Sequence, residues 1–189
     1  NTAYGVGSYT KGEVFLEQLR YIIGEEAFDK GMLRYFETWK FKHPNANDFI
    51  RVMEKSCGLE LDWFREYFVN TTHTIDYDIE DMRGKSVIIR RKGKMPMPLD
   101  VTVKTKDGKE YRYYIPLDLM RGEKKGDRFF DRFKVMSDWP WTHETYSLNI
   151  EQNIRDIDKV EIDVSARMAE TDRENNVYPR VMVQKDPVK

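Results

Sequence analysis

This chain is poor in the residues from which small metal sites and disulfide frameworks are built. Cys57 is the only cysteine among 189 residues. A single thiol excludes an intrachain disulfide framework and any cysteine-based zinc site, but it leaves the compartment open. There are only three histidines, His43, His73 and His143, and no two share a motif. The helical spacing H-E-x-x-H, which puts two imidazoles on one face to hold zinc, is absent. No glycine-rich phosphate loop is present, and no local Ser/His/Asp or Cys/His set suggests a nucleophile. No apolar run approaches the roughly 20 residues needed to span a bilayer. Neither charge dominates, with 32 basic and 33 acidic side chains. That balance removes the electrostatic case for nucleic acid or an anionic membrane surface. No signal-peptide pattern stands at the front. Asn1 is not an initiator methionine, so the chain reads as a processed or excised piece.

Hydrophobic residues make up 40% of the chain, 13% of it aromatic, enough for a packed core and against global disorder. Residues 9–72 have helical periodicity. Phe15, Leu19, Ile22 and Ile23 form one apolar stripe, and Gly24 stops that helix. Glu25 and Glu26 then sit in the first turn of a second helix, where the dipole favours negative charge. Phe28, Met32, Tyr35, Phe36 and Trp39 give it a buried face, and His43-Pro44-Asn45 breaks it. Asn45 or Asn47 caps a third helix, with Phe49, Ile50 and Met53 inward and Gly58 at its end. Asp62 caps a short fourth helix carrying Trp63, Phe64, Tyr67 and Phe68. Short loops predict antiparallel neighbours, and nothing among them covers the far side of the first helix.

Near residue 73 the period changes to two. Val87–Arg91 is rich in β-branched residues. Leu99, Val101 and Val103 alternate with polar neighbours, as do Tyr111, Tyr113 and Ile115 beyond Asp107-Gly108. That dipeptide predicts a hairpin with a type I′ turn. Further strands are expected near 75–80, 129–135, 145–150 and 159–163. About seven short strands separated by turn signals predict an antiparallel β-sandwich. Met95-Pro96-Met97-Pro98 enters a strand from an edge or loop, and Gly122–Asp127 reads as a charged loop. The expected fold class is α+β, with helical residues 1–73 followed by an immunoglobulin- or fibronectin-like sandwich over 74–189.

Three constellations have ordinary explanations. Glu161, Asp163, Glu170 and Asp172 with Asn175 and Asn176 suggest calcium but lack the D-x-D-x-D-G loop; they read as a solvated strand end and tail. Trp139, Trp141 and Tyr146, at the entry to a strand, read as core rather than as a platform for sugar or peptide. Asn70-Thr71-Thr72 is a glycosylation sequon, meaningful only in a host that glycosylates exported proteins.

The opening stretch stands apart. Tyr4 and Tyr9-Thr10-Lys11-Gly12 are followed by Gly24-Glu25-Glu26-Ala27-Phe28, then by Phe49, Met53-Glu54, Gly58-Leu59, Leu61 and Phe64. Together these resemble the gluzincin zinc aminopeptidases, the family of aminopeptidase N and leukotriene hydrolase. Arg91–Val101, Trp139-Pro140-Trp141-Thr142, Val160–Asp163 and Asp172–Asn176 resemble the β domain that follows the catalytic domain in bacterial members.

The resemblance implies a C-terminal portion of a zinc-dependent aminopeptidase that removes residues from peptide N-termini. In the family, Y-x-K-G supplies a tyrosine that donates to the oxyanion of the scissile carbonyl. That position is Tyr9. Tyr4 matches a second tyrosine near the substrate pocket, Lys11 reads as structural, and Gly12 as permitting close packing. The zinc ligands, the general base and the clamp for the substrate's amino end would precede Asn1. The resemblance therefore implies zinc and peptide substrate in the parent, no cofactor in this piece, no activity for it alone, and a missing N-terminal half as its partner. A bacterial periplasmic or other extracytoplasmic setting is the compartment leaned to. The alternative is a non-catalytic sandwich binding module, or the scaffold of a pseudo-peptidase that has lost its zinc motif.

Overall fold

The computed structural model describes residues 5–126 and 133–180. A single π-helical turn, Val6–Thr10, feeds helix α1, Lys11–Ile23. Helices α2 (Glu25–Trp39), α3 (Ala46–Cys57) and α4 (Asp62–Asn70) follow. The stops lie where the sequence places them. Gly24 has φ 85°, and Gly58 is left-handed at φ 76°. Asn45 caps α3 through a full capping box: its side chain accepts from the Asn47 and Asp48 N–H groups, and Asp48 accepts from its backbone.

Two local expectations fail. Asp62 lies inside α4, with Leu61 at the cap position, so its carboxylate makes no cap bond. Phe36 is 62% exposed, because α3 meets α2 along Phe28, Gly31 and Met32 instead. At Gly31 a Cβ would stand 2.4 Å from the Met53 sulfur. Phe15 of α1 stacks on Phe64 at 4.9 Å and meets Phe68 edge-on at 5.5 Å, which ties α1 to α4.

Eight strands follow: β1 Tyr77–Arg83, β2 Ser86–Arg91, β3 Leu99–Thr105, β4 Glu110–Ile115, β5 Lys134–Val135, β6 Thr145–Asn149, β7 Ile157–Ile162 and β8 Val177–Tyr178. They form two sheets, β1-β2-β6 and β5-β4-β3-β7-β8. Every pairing is antiparallel except β4 with β5, where Tyr113 faces Lys134 in parallel. The molecule is therefore α+β, four helices and then a sheet-rich region. The second sheet is mixed, and β8 falls in a stretch that reads as tail. Of the strand expected at 129–135, residues 129–132 lie outside the described residues.

The Asp107-Gly108 hairpin forms, with Lys104 opposite Glu110, but its turn is not type I′. Only Gly108 has positive φ, at 85°. The Gly108 N–H donates to Thr105 O at 2.8 Å, and the Thr105 N–H to Lys109 O at 2.9 Å. This is a type I turn closed by a left-handed glycine, which suits the longer loop. The Met95–Pro98 run enters β3 from a loop, and the Met97 N–H donates to the buried Tyr77 hydroxyl at 2.7 Å.

One buried apolar cluster joins both halves of the chain. It runs from Leu19, Ile22 and Phe64 to Val87, Ile89, Val101, Val160 and Trp139. Strand β3 is buried on both faces from Leu99 to Val103, so its polar alternates do not face water. The reason is α1. Its far side, which nothing in the helical sequence covers, carries fully buried Tyr21, whose hydroxyl accepts from the Asp100 N–H of β3. Among the described residues no helix is long and apolar enough to cross a membrane.

Candidate functional site

Tyr9 lies on the π turn immediately before α1. Thr10, at φ −65° and ψ −48°, is already helical and makes no side-chain cap, so the backbone runs straight from that turn into Lys11. Single π turns are rare and recur at functional sites. Here the turn leaves Tyr9 69% exposed, whereas an aromatic residue at a helix start would ordinarily pack inward. Below it opens a groove of about 620 Å³ lined by Tyr9, Phe15, Leu16, Tyr35, Pro44 and Phe49. In its floor Tyr35 meets Phe49 edge-on at 5.0 Å, and Phe15 stacks on Phe64. A phenol presented over an apolar groove is a neutral hydrogen-bond donor beside surface from which a ligand excludes water.

The neighbours of Tyr9 divide. The Lys11 ammonium lies 5.8 Å from the centre of the Phe68 ring, a packing role. Gly12 has nothing within 4 Å of the place a Cβ would occupy, so close packing does not account for it. Tyr4 lies outside the described residues.

The described residues do not fit a zinc site. Among the described residues no three His, Cys, Asp or Glu side chains gather where a metal would sit. His43, His73 and His143 are all exposed and lie on separate elements. The Cys57 thiol is pushed above its usual range by burial.

Two polar clusters are buried where solvated segments were expected. In the loop after β4, Lys124 is 2% exposed, and its ammonium donates to Asp100 Oδ2 at 2.7 Å and to Tyr21 O at 3.4 Å. The rings of Tyr21 and Tyr114 flank it at 4.8 and 5.0 Å. Burial first, then the Asp100 charge, holds both phenols well above their ordinary range. The segment is charged, but its central lysine is the least exposed one described; Asp127 lies outside the described residues.

The acidic segment at the end of the sheets is likewise folded. Asp163, Asn175 and Asn176 are 1%, 4% and 2% exposed. Asp163 accepts from the Met168 N–H at 2.7 Å and from Arg173 at 3.2 Å. Glu170 accepts from the Tyr77 N–H and from Asn176 Nδ2, and Asn175 donates to Asp76 at 3.0 Å. Burial lifts the Glu170 carboxyl to about 7, chiefly by desolvation, with the hydrogen bonds and Arg173 opposing and Asp76 assisting. The solvated reading fails because Arg173 and the two asparagines satisfy these carboxylates indoors. In the aromatic set, Trp139 is core at 1% exposure, with its indole N–H on His143 O and Tyr146 5.2 Å away; Trp141 stays 38% exposed. Sequence alone offers no signal for Gln18, Tyr21 or Lys124, whose burial depends on contacts across 24 to 151 positions.

Residues 1–68 match the Peptidase family M1 domain model. Aminopeptidase N of Escherichia coli K12 is 32% identical over 68 residues, which is 36% of this chain and 8% of that protein. Aminopeptidase N of Haemophilus influenzae is 34% identical over 68 residues, with the same shares. Glutamyl aminopeptidase of Sus scrofa is 30% identical over 76 residues, 40% of this chain and 8% of that protein. The chain spans about 8% of the length of the curated relatives it matches. The matched residues are those that build the π turn, the four helices and the groove. Over residues 1–68, its helical segment, the chain is similar to peptidase family M1.

Proposed function

We propose that this chain is the C-terminal portion of a zinc-dependent aminopeptidase acting on peptide N-termini, and that Tyr9 stabilises the transition state. The observation that carries the reading is the exposed Tyr9 phenol above an apolar groove, within the residues that match the M1 domain. When water adds to a peptide carbonyl, negative charge develops on its oxygen. A pre-placed neutral donor beside a water-excluding surface gains most there and costs little before the charge forms. Tyr9 fills that role, and Tyr4 borders the substrate pocket. In this reading residues 1–73 close a catalytic domain, and residues 74–189 form a β-sandwich.

The zinc, its ligands and the general base lie outside these 189 residues, so the chain alone does not hydrolyse peptides. Its partner is then the remainder of the same polypeptide, with the peptide as substrate of the whole. Two experiments test the reading. Purified 189-residue chain is assayed for bound zinc and for turnover of aminoacyl anilides. Neither is expected, and stoichiometric zinc with turnover refutes the division of labour. In the full-length enzyme Tyr9→Phe lowers kcat by about 10²–10³-fold. A loss under about threefold removes Tyr9 from the chemistry. A full-length protein without H-E-x-x-H makes the scaffold reading the correct one.

A further inference from the structure

The exposed end of α1 carries Tyr9; its other end is gripped by the sheet region through directional polar contacts. Gln18 is 1% exposed. Its Nε2 donates to Arg167 O at 2.8 Å, and its Oε1 accepts from the Ala169 N–H at 3.0 Å. Three residues on, and so on the same helix face, the Tyr21 hydroxyl accepts from the Asp100 N–H at 3.1 Å. The Lys124 ammonium and the Arg167 guanidinium stand 4.8 and 5.3 Å from the centre of the Tyr21 ring. The socket is itself braced. Asp163 and Arg173 hold the loop that presents Arg167 and Ala169, with Arg173 bonded to Asp163 O at 3.0 Å and Met168 O at 2.9 Å.

Apolar stripes tolerate small sliding and rotation, whereas paired hydrogen bonds do not. The bonds of Gln18 and Tyr21 fix both the rotation of α1 and its height along its axis. We propose that Gln18 and Tyr21 are positioning residues through which the sheet region sets the place of the Tyr9 phenol. This rests on the oxyanion reading of Tyr9. The lever is long: Gln18 is nine positions along from Tyr9, about 14 Å at 1.5 Å per residue. A tilt of about 4° about Gln18 moves Tyr9 by about 1 Å, a displacement that costs on the order of 10²-fold in rate.

A double-mutant cycle in the full-length, zinc-loaded enzyme tests this. Gln18→Leu and Tyr21→Phe each lower kcat by about tenfold or more, with zinc content unchanged and KM within about twofold. On a Tyr9→Phe background either change costs less than about twofold further, because the misplaced group is already gone. Equal losses on both backgrounds overturn positioning and leave a merely structural role, as does a kcat within twofold of wild type. Tyr9→Phe without effect removes the oxyanion reading and this inference with it, a result distinct from additivity. Tyr21→Phe deletes one oxygen and guards against misfolding of the Gln18 variant. In the 189-residue chain, hydrogen exchange of the backbone over residues 11–15 rises in both variants; unchanged exchange also overturns the proposal.

Discussion

Glu170 makes the sheet region's stability depend on pH in the neutral range. Its carboxylate accepts from the Tyr77 N–H on one oxygen and from Asn176 Nδ2, at 2.7 Å, on the other. Arg173 and Asp76 are the charged groups that act on it, with opposite signs. Burial is the largest influence and lifts the carboxyl from 4.5 to about 7. A group raised in the folded state binds its proton more tightly there than in the unfolded chain. Its contribution is fully present below about pH 4.5 and is lost as pH rises through 7. Between pH 5 and 8 the loss is on the order of 2–3 kcal/mol, at 1.36 kcal/mol per pH unit over the interval in which only the folded chain holds the proton. Glu170→Gln keeps the acceptor for Tyr77 and removes the titration. Its new amide N–H₂ meets Asn176, whose buried Oδ1 has no partner among the described residues and becomes an acceptor when that amide turns over. Urea unfolding of both proteins at pH 5 and pH 8 reads the effect. Wild type loses on the order of 2–3 kcal/mol relative to the variant over that interval. Parallel pH profiles refute the assignment.

Two further perturbations probe the junction. Lys124→Met leaves the Asp100 carboxylate, 4% exposed, without its ammonium and costs about 3–5 kcal/mol in urea unfolding. Lys124→Met with Asp100→Leu loses less than the single change, and a single-variant loss under about 1 kcal/mol refutes the pairing. Gly24→Ala puts a side chain at φ 85° and its Cβ 2.3 Å from the Gly126 carbonyl oxygen, so Tm falls by at least about 4 °C; a fall under 1 °C refutes the close approach.

The parts of the fold that the sequence made legible are those set by neighbours. Helix stops at Gly24 and Gly58, the Asn45 capping box, and the strands around Ile89, Val101 and Tyr113 are written in local spacing. What it hid depends on partners far along the chain. Lys124 and Asp163 carry the chemistry of surface residues; only Asp100, Tyr21 and Arg173, placed by the tertiary fold, make their burial affordable. The same holds for Asp100, a polar alternate in β3 that would face water if α1 did not cover it. The candidate site was legible in part. Tyr9 stands out by motif, but its π turn and its exposure are not readable from Y-x-K-G. The closeness expected of Gly12 is absent.

These buried contacts bear on whether the sheets could serve alone as a binding module. An independent module satisfies its own polar groups or gives them to water. Here the Asp100 N–H, the Arg167 carbonyl and the Ala169 N–H all find their partners on α1. The Lys124 ammonium reaches the carbonyl of Tyr21 as well as Asp100. Stripping away the helices would expose that set together with the apolar surface of Leu19 and Ile22. The helices without the sheets would leave Gln18 and Tyr21 to water and lose the same directional contacts. A hydrogen bond exchanged for water contributes about 0.5–1.5 kcal/mol net, and a domain's whole margin is about 5–15 kcal/mol. The four hydrogen bonds of the junction, about 2–6 kcal/mol together, are therefore a sizeable part of that margin. The helices and the sheets share one core and this set of polar contacts, so a role for the sheets is to be sought in what they do to α1.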